Sequence, residues 1–203
     1  MKTLSSITIA VLTLAYSTSA MTAASQEVPT ISRAQAIEDL EAAIHLIKTE
    51  HAAPFAHIDE SEWSVLVANQ KTRLPDEVSL LELHRRVGAM TTALGCAHSF
   101  LNLSGDYAST LNETARGFPE EIAIIGGRLY FANGSMKGRE ILSINSVPSG
   151  EVFSRMSVAV PVDGFGRLRK GQELARRFAY YYATQVDPYP ERFMLEVEGR
   201  GRP

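Results

Sequence analysis

A cysteine, a histidine and a serine lie close together in Gly95-Cys96-Ala97-His98-Ser99. A thiol or hydroxyl attacks a carbonyl carbon once a neighbouring base removes its proton, and imidazole is the side chain suited to that task near neutral pH. His98 is therefore a candidate general base, with Cys96 or Ser99 as a candidate nucleophile. If a strand begins here, alternation puts Cys96 and His98 on one face and sends Ser99 to the other. The plainer alternative is a turn holding a satisfied histidine and a buried thiol. Cys96 is the chain's one cysteine, so it has no internal disulfide partner, and free thiols are most often buried.

Other chemistry is sparse. His45, His51, His57 and His84 are scattered without metal-ligand spacing, and neither H-E-x-x-H nor paired C-x-x-C occurs. Gly164-Phe165-Gly166 runs into Arg167-Leu168-Arg169 rather than a phosphate-binding helix, and no G-x-S-x-G elbow is present. No metal and no cofactor is expected. Arg192 and the Arg167–Lys170 run read as solvated charge.

The elements that must position these residues follow from periodicity and capping. Ser32 with Gln35 makes a capping box, and Ile37, Leu40, Ile44, Ile47 and His51 then recur at helical spacing until Pro54. A second helix is predicted over 59–71, carrying Trp63, Leu66 and Val67 inward. Ser79 with Glu82 opens a third, with Leu80, Leu83, Val87, Met90 and Leu94 on one face and Gly95 as its C-terminal glycine. Residues 99–103 alternate like a strand, and 104–117 read as a polar loop. Two apolar runs, 121–125 and 128–131, joined by Gly126-Gly127, predict a hairpin. Residues 140–145 predict a strand, 151–156 a short helix, 162–171 an exposed basic loop, 173–184 a helix and 192–198 a last strand. The expected class is α+β: a three-helix unit (30–97), then a small mixed β-region (98–203).

Composition sets the setting. Lys2, the apolar stretch Ile7–Tyr16 and small residues around Ala20 and Ala24 have the three parts of a signal peptide, read as residues 1–24. The apolar stretch is well short of the roughly 20 residues a membrane span needs. About 180 residues remain, enough for one ordinary domain or two small ones. A net charge of −3 without a basic stripe or basic amphipathic helix argues against nucleic acid and membrane-surface partners. The expected location is the periplasm or the extracellular space.

The order of motifs resembles the front half of exported serine peptidases of the tail-specific, C-terminal-processing family, closest to the branch related to the tricorn protease core. The resemblance rests on Leu94–Ser99, on Gly138-Arg139-Glu140-Ile141-Leu142-Ser143-Ile144-Asn145-Ser146-Val147-Pro148, and on the Phe178–Tyr182 helix. It implies a reduced PDZ-like β-region and protein or peptide substrates. It also implies that His98 is the general base of a Ser-His-Ser-Glu arrangement. Ala97 stands where the family has glycine or serine, and Ser146 where it has the glycine after Ile-Asn. The family's nucleophilic serine lies further along, in a peptidase core beyond the positions matched here, so these residues are expected to be catalytically incomplete. Two alternatives stay open: a non-catalytic peptide-binding module, and a thiol hydrolase using Cys96 and His98.

Overall fold

A computed structural model describes residues 9–14, 28–103, 105–114 and 117–199. The chain divides into two compact units. One comprises Ser19–Asn112 with Val158–Gly166; the other comprises Met1–Thr18, Glu113–Ser157 and Arg167–Pro203. We call them the helical unit and the sheet unit. Among the described residues there are seven α-helices and two sheets, an α+β architecture.

The helical unit is organised by a short ribbon. Strands β2 (Thr30–Ser32) and β3 (Glu77–Ser79) pair antiparallel, Ile31 opposite Val78. Each runs directly into a helix, α1 (Arg33–Glu50) and α3 (Leu80–Thr92). The ribbon thus ends in two N-cap serines. Ser32 Oγ accepts from the Gln35 amide at 3.3 Å while Gln35 Oε1 accepts from the Ser32 amide at 3.0 Å, a complete capping box. Ser79 Oγ accepts from the Glu82 amide at 3.1 Å, and the Glu82 carboxylate pairs with Arg86 one turn on. Helix α2 (Glu60–Thr72) packs Trp63 and Val67 into a core with Ala36, Leu40, Val87, Met90 and Leu94. Helix ends leave carbonyls without partners, and here side chains take them. The Trp63 indole donates to Met90 O at 3.0 Å, and Arg86 donates to Gln70 O at 2.9 Å and Arg73 O at 3.0 Å.

The sheet unit is antiparallel in every described pairing, in the order β1 (Ile9–Leu14), β8 (Phe193–Glu198), β6 (Glu140–Ile144), β5 (Arg128–Phe131), β4 (Ile122–Ile125), with β7 (Val147–Pro148) also on β6. The expectation of a mixed sheet is corrected: two-residue turns reverse the chain between β4 and β5 and between β6 and β7, and the long return through the helices brings β8 back antiparallel to β6. The Gly126-Gly127 hairpin forms as predicted, both glycines at positive φ (62° and 85°). Helix α5 (Ser149–Ser157) lies over it, bringing the Phe153 ring to 3.3 Å from where a Cβ at Gly127 would stand. Ile144 is fully buried, and Asn145 turns the chain and holds the next strand: its amide donates to Met194 O at 2.8 Å, and its Oδ1 accepts from the Met194 amide at 2.7 Å. Helix α7 (Phe178–Gln185) adds Phe178 and Tyr182, which meet Phe118 and Phe193 ring against ring.

Four local expectations fail for identifiable reasons. Residues 99–103 form no strand, because Ser99 N bonds back to Cys96 O at 3.2 Å and closes a turn. The segment read as a polar loop contains helix α4 (Gly105–Thr114), anchored by buried Tyr107 and Leu111 that a polar average conceals. The basic loop becomes a 3-10 turn (Asp163–Phe165) and then helix α6 (Arg167–Arg176), whose strongly charged exposed face masks the buried Leu174. The single helix over 173–184 is instead the end of α6 and all but the last residue of α7, broken at Arg177, where the backbone leaves the helical region. The proposed signal peptide falls mostly outside the described residues. Of it, Ile9–Leu14 is placed as β1, from Ile9 opposite Glu198 to Leu14 opposite Phe193.

Candidate functional site

The reactive residues sit just past a helix end. Helix α3 tightens as it finishes: Leu94 N bonds Thr91 O at 3.2 Å and Gly95 N bonds Thr92 O at 3.1 Å. Gly95 then enters the left-handed region at φ 63°, the conformation glycine adopts most cheaply. Buried Leu94 anchors this exit. The Gly95 carbonyl accepts from the Gly164 amide at 3.1 Å, and the Ala97 amide donates to Asp163 Oδ1 at 2.8 Å. Two hydrogen bonds therefore clip residues 95–97 to residues 163–164, and Val160 and Val162 root the second segment in the core.

The turn beyond Gly95 folds Cys96 against His98, Sγ to Nδ1 3.9 Å, the outer limit of a sulfur hydrogen bond. Cys96 is half-buried and not fully enclosed, a correction to the buried thiol expected of a free cysteine. The cause is the turn, which holds its sulfur towards the surface-exposed imidazole. Ser99 goes the other way: its Oγ is buried and without a hydrogen-bond partner, so it is not presented to His98. Asp163 completes a cluster. One ligand-capable atom from each of Cys96, His98 and Asp163 lies within 4.8 Å of those of the other two. A nucleophile–base–acid relay places the imidazole between the other two groups, the acid on its far nitrogen. Here the sulfur and a carboxylate oxygen lie within 4.8 Å of each other, closer than an imidazole standing between them would allow, an arrangement suited to holding one thing between them.

Sequence reasoning found Cys96 and His98 and missed Asp163. Their separation of more than sixty residues is invisible to periodicity, and the clip that joins them is a backbone-to-side-chain bond. The remaining histidines stay apart. His45 and His57 are exposed, and His51 Nδ1 accepts from the Ala53 amide at 3.1 Å. His84 is buried in α3; burial, with the Arg85 charge beside it, pushes its pKa down to about 4. Arg169 and Lys170 belong to α6, where Lys170 Nζ donates to Ser157 O at 3.2 Å and burial lowers its pKa. Arg192 is exposed just ahead of β8.

The sheet unit offers a different feature. Strand β8 lies between β6 and β1, so whatever pairs its outer edge there is an extended segment, six residues long in this structure. Among the described residues no helix is long and apolar enough to cross a membrane. Comparison with protein-family models, with curated proteins and with solved structures finds no match for this chain.

Proposed function

We propose that this chain is the front, peptide-docking part of an exported serine peptidase of the tail-specific, tricorn-core-like type. The docking surface is the outer edge of β8, in a region read as a reduced PDZ-like domain. The observation that carries docking is the antiparallel register of Ile9–Leu14 along Phe193–Glu198: this edge accepts an extended segment over six residue pairs. If residues 1–24 are removed on export, the edge is left with unpaired backbone groups, and adding a substrate strand restores the ladder. Ile144 and Asn145, on which the resemblance leans, support β8 from its other side, Ile144 opposite Leu195 and Asn145 bonded to Met194.

His98 is the general base in this reading. The resemblance places its nucleophile, a serine, in a peptidase core further along, and the neighbouring Ser99 hydroxyl is buried and does not take that part. A non-catalytic binding module is the second reading, and the same β8 edge favours it.

The test compares the full chain with the chain lacking residues 1–24. A fluorescently labelled peptide of sequence Ile-Ala-Val-Leu-Thr-Leu, taken from residues 9–14, serves as ligand. The shortened chain is expected to bind it saturably, and the full chain at least about tenfold more weakly, since its own strand competes. Equal or absent binding by both refutes edge docking. Neither chain is expected to hydrolyse casein; turnover blocked by a serine-directed inhibitor would show a nucleophile within these residues.

A further inference from the structure

We propose that Cys96, His98 and Asp163 form a binding site for a divalent cation of borderline softness, with Zn²⁺ as its natural occupant. This goes beyond peptide docking and does not depend on it. The donor set is a sulfur, an imidazole nitrogen and a carboxylate oxygen, the three kinds of atom that Zn²⁺ accepts together and that Ca²⁺ or Mg²⁺ does not.

The geometry is close to what binding needs. Bonds of roughly 2.0–2.3 Å in a tetrahedral site place the donors about 3.3–3.7 Å apart. Cys96 Sγ and His98 Nδ1 stand 3.9 Å apart, and all three donors lie within 4.8 Å of one another. Closing onto a cation shortens these separations by no more than about 1.5 Å. The carboxylate is already oriented: Asp163 Oδ1 accepts from the Ala97 amide, the supporting bond that metal-bound carboxylates commonly receive, and Oδ2 remains for the cation. The bond from Gly164 N to Gly95 O fixes the two backbone segments on either side.

Binding would release the thiol proton to solvent as the metal–sulfur bond forms. Three protein donors leave a fourth position for water. With Nδ1 on the cation, the ring keeps its proton on Nε2 and is not a base. Cation binding and general-base service are then alternative states of His98.

The experiment uses the full chain, kept reduced without added thiol, and titrates it with Co²⁺ as a spectroscopic stand-in. The expected result is saturation at one ion per chain, with a sulfur-to-cobalt charge-transfer band and the visible bands of a tetrahedral site. Zn²⁺ should displace the cobalt and bleach both. Cys96→Ser should abolish the charge-transfer band. His98→Ala and Asp163→Asn should weaken Zn²⁺ binding by at least about tenfold. Asp163→Asn retains an amide oxygen for the Ala97 hydrogen bond, so its loss of affinity reports the ligand and not the clip. No sulfur-to-cobalt band in the unaltered chain would overturn the proposal, as would a band that persists in Cys96→Ser or affinity unchanged in the other two variants. Because no peptide is present, failure here is distinct from failure of β8 docking.

Discussion

The two units solve the same problem, unpaired backbone at the ends and edges of elements, in different ways. In the helical unit, side chains distant in sequence reach helix ends and the turns just past them: Trp63 to Met90 O, Arg86 to Gln70 O and Arg73 O, Asp163 to the Ala97 amide. In the sheet unit the ladders do most of this work, and side chains act across adjacent strands, as Asn145 does at Met194 and Ser143 does at Glu196, 3.0 Å away. The difference teaches where each unit can host function. A helix end served by side chains gathers varied chemistry at one point, which is how Cys96, His98 and Asp163 meet. A sheet edge offers uniform backbone groups, suited to an extended polypeptide whatever its side chains.

The sharpest way to break the comparison is at Trp63, which is 1% exposed and serves the helical unit as both core and cap. Trp63→Ala removes a large buried ring, leaves a cavity beside Phe55 and orphans the Met90 carbonyl. It should cost about 3–5 kcal/mol, read as a lowered denaturation midpoint. Trp63→Phe retains most of the ring and loses the hydrogen bond, and should cost about 1–3 kcal/mol. If the two variants are equally damaging, the indole bond and not the packing dominates, and the account of the core is wrong.

His84 gives a pH signature belonging to the helical unit. It is 9% exposed and is held neutral by burial first and by Arg85 second, its pKa pushed down to about 4. Unfolding returns it to about 6.5. Above pH 6.5 the ring is neutral in both states and folding is not penalised. Between about 6.5 and 4 the unfolded chain binds a proton that the folded chain refuses, so stability falls as pH falls, by up to ~3 kcal/mol in total. Below about 4 both states are charged and the slope from this group ends. His84→Gln should flatten the stability profile in that window, measured by denaturant titration at a series of pH values. An unchanged slope would mean that His84 is solvated in the folded chain.

What could be read in advance divides along the same physical line. The capping serines, the Gly126-Gly127 turn, and the strand at 140–144 are local: each is set by residues within a few positions, so spacing reveals them. The β2–β3 ribbon is only three residues a side and pairs segments nearly fifty positions apart, leaving no periodic trace. Helix α6 is so polar on average that charge hid it until the buried Leu174 showed which face it packs. In the candidate site, Cys96 and His98 were legible because a turn joins neighbours. Asp163 was not, because its place is decided by where the chain returns.

The smallest effect tests whether a turn in the sheet unit carries strain. Asn145 and Ser146 both have positive φ, 48° and 66°, the conformation that Gly126 and Gly127 occupy in the other hairpin. Asparagine tolerates this region, and here its side chain is also committed to Met194. Serine has no such compensation among the described hydrogen bonds, and the left-handed region costs a side chain about 1–2 kcal/mol. Glycine removes that cost but loses about 0.5–1 kcal/mol through greater freedom of the unfolded chain. Ser146→Gly should therefore stabilise the chain by up to ~1 kcal/mol, a rise in Tm of about 2–4 °C. Ser146→Val, β-branched and unable to relax there, should move Tm the other way. A decrease with glycine would mean that the Ser146 hydroxyl has a role that offsets its backbone strain, and the two turns would then differ in kind and not only in residue choice.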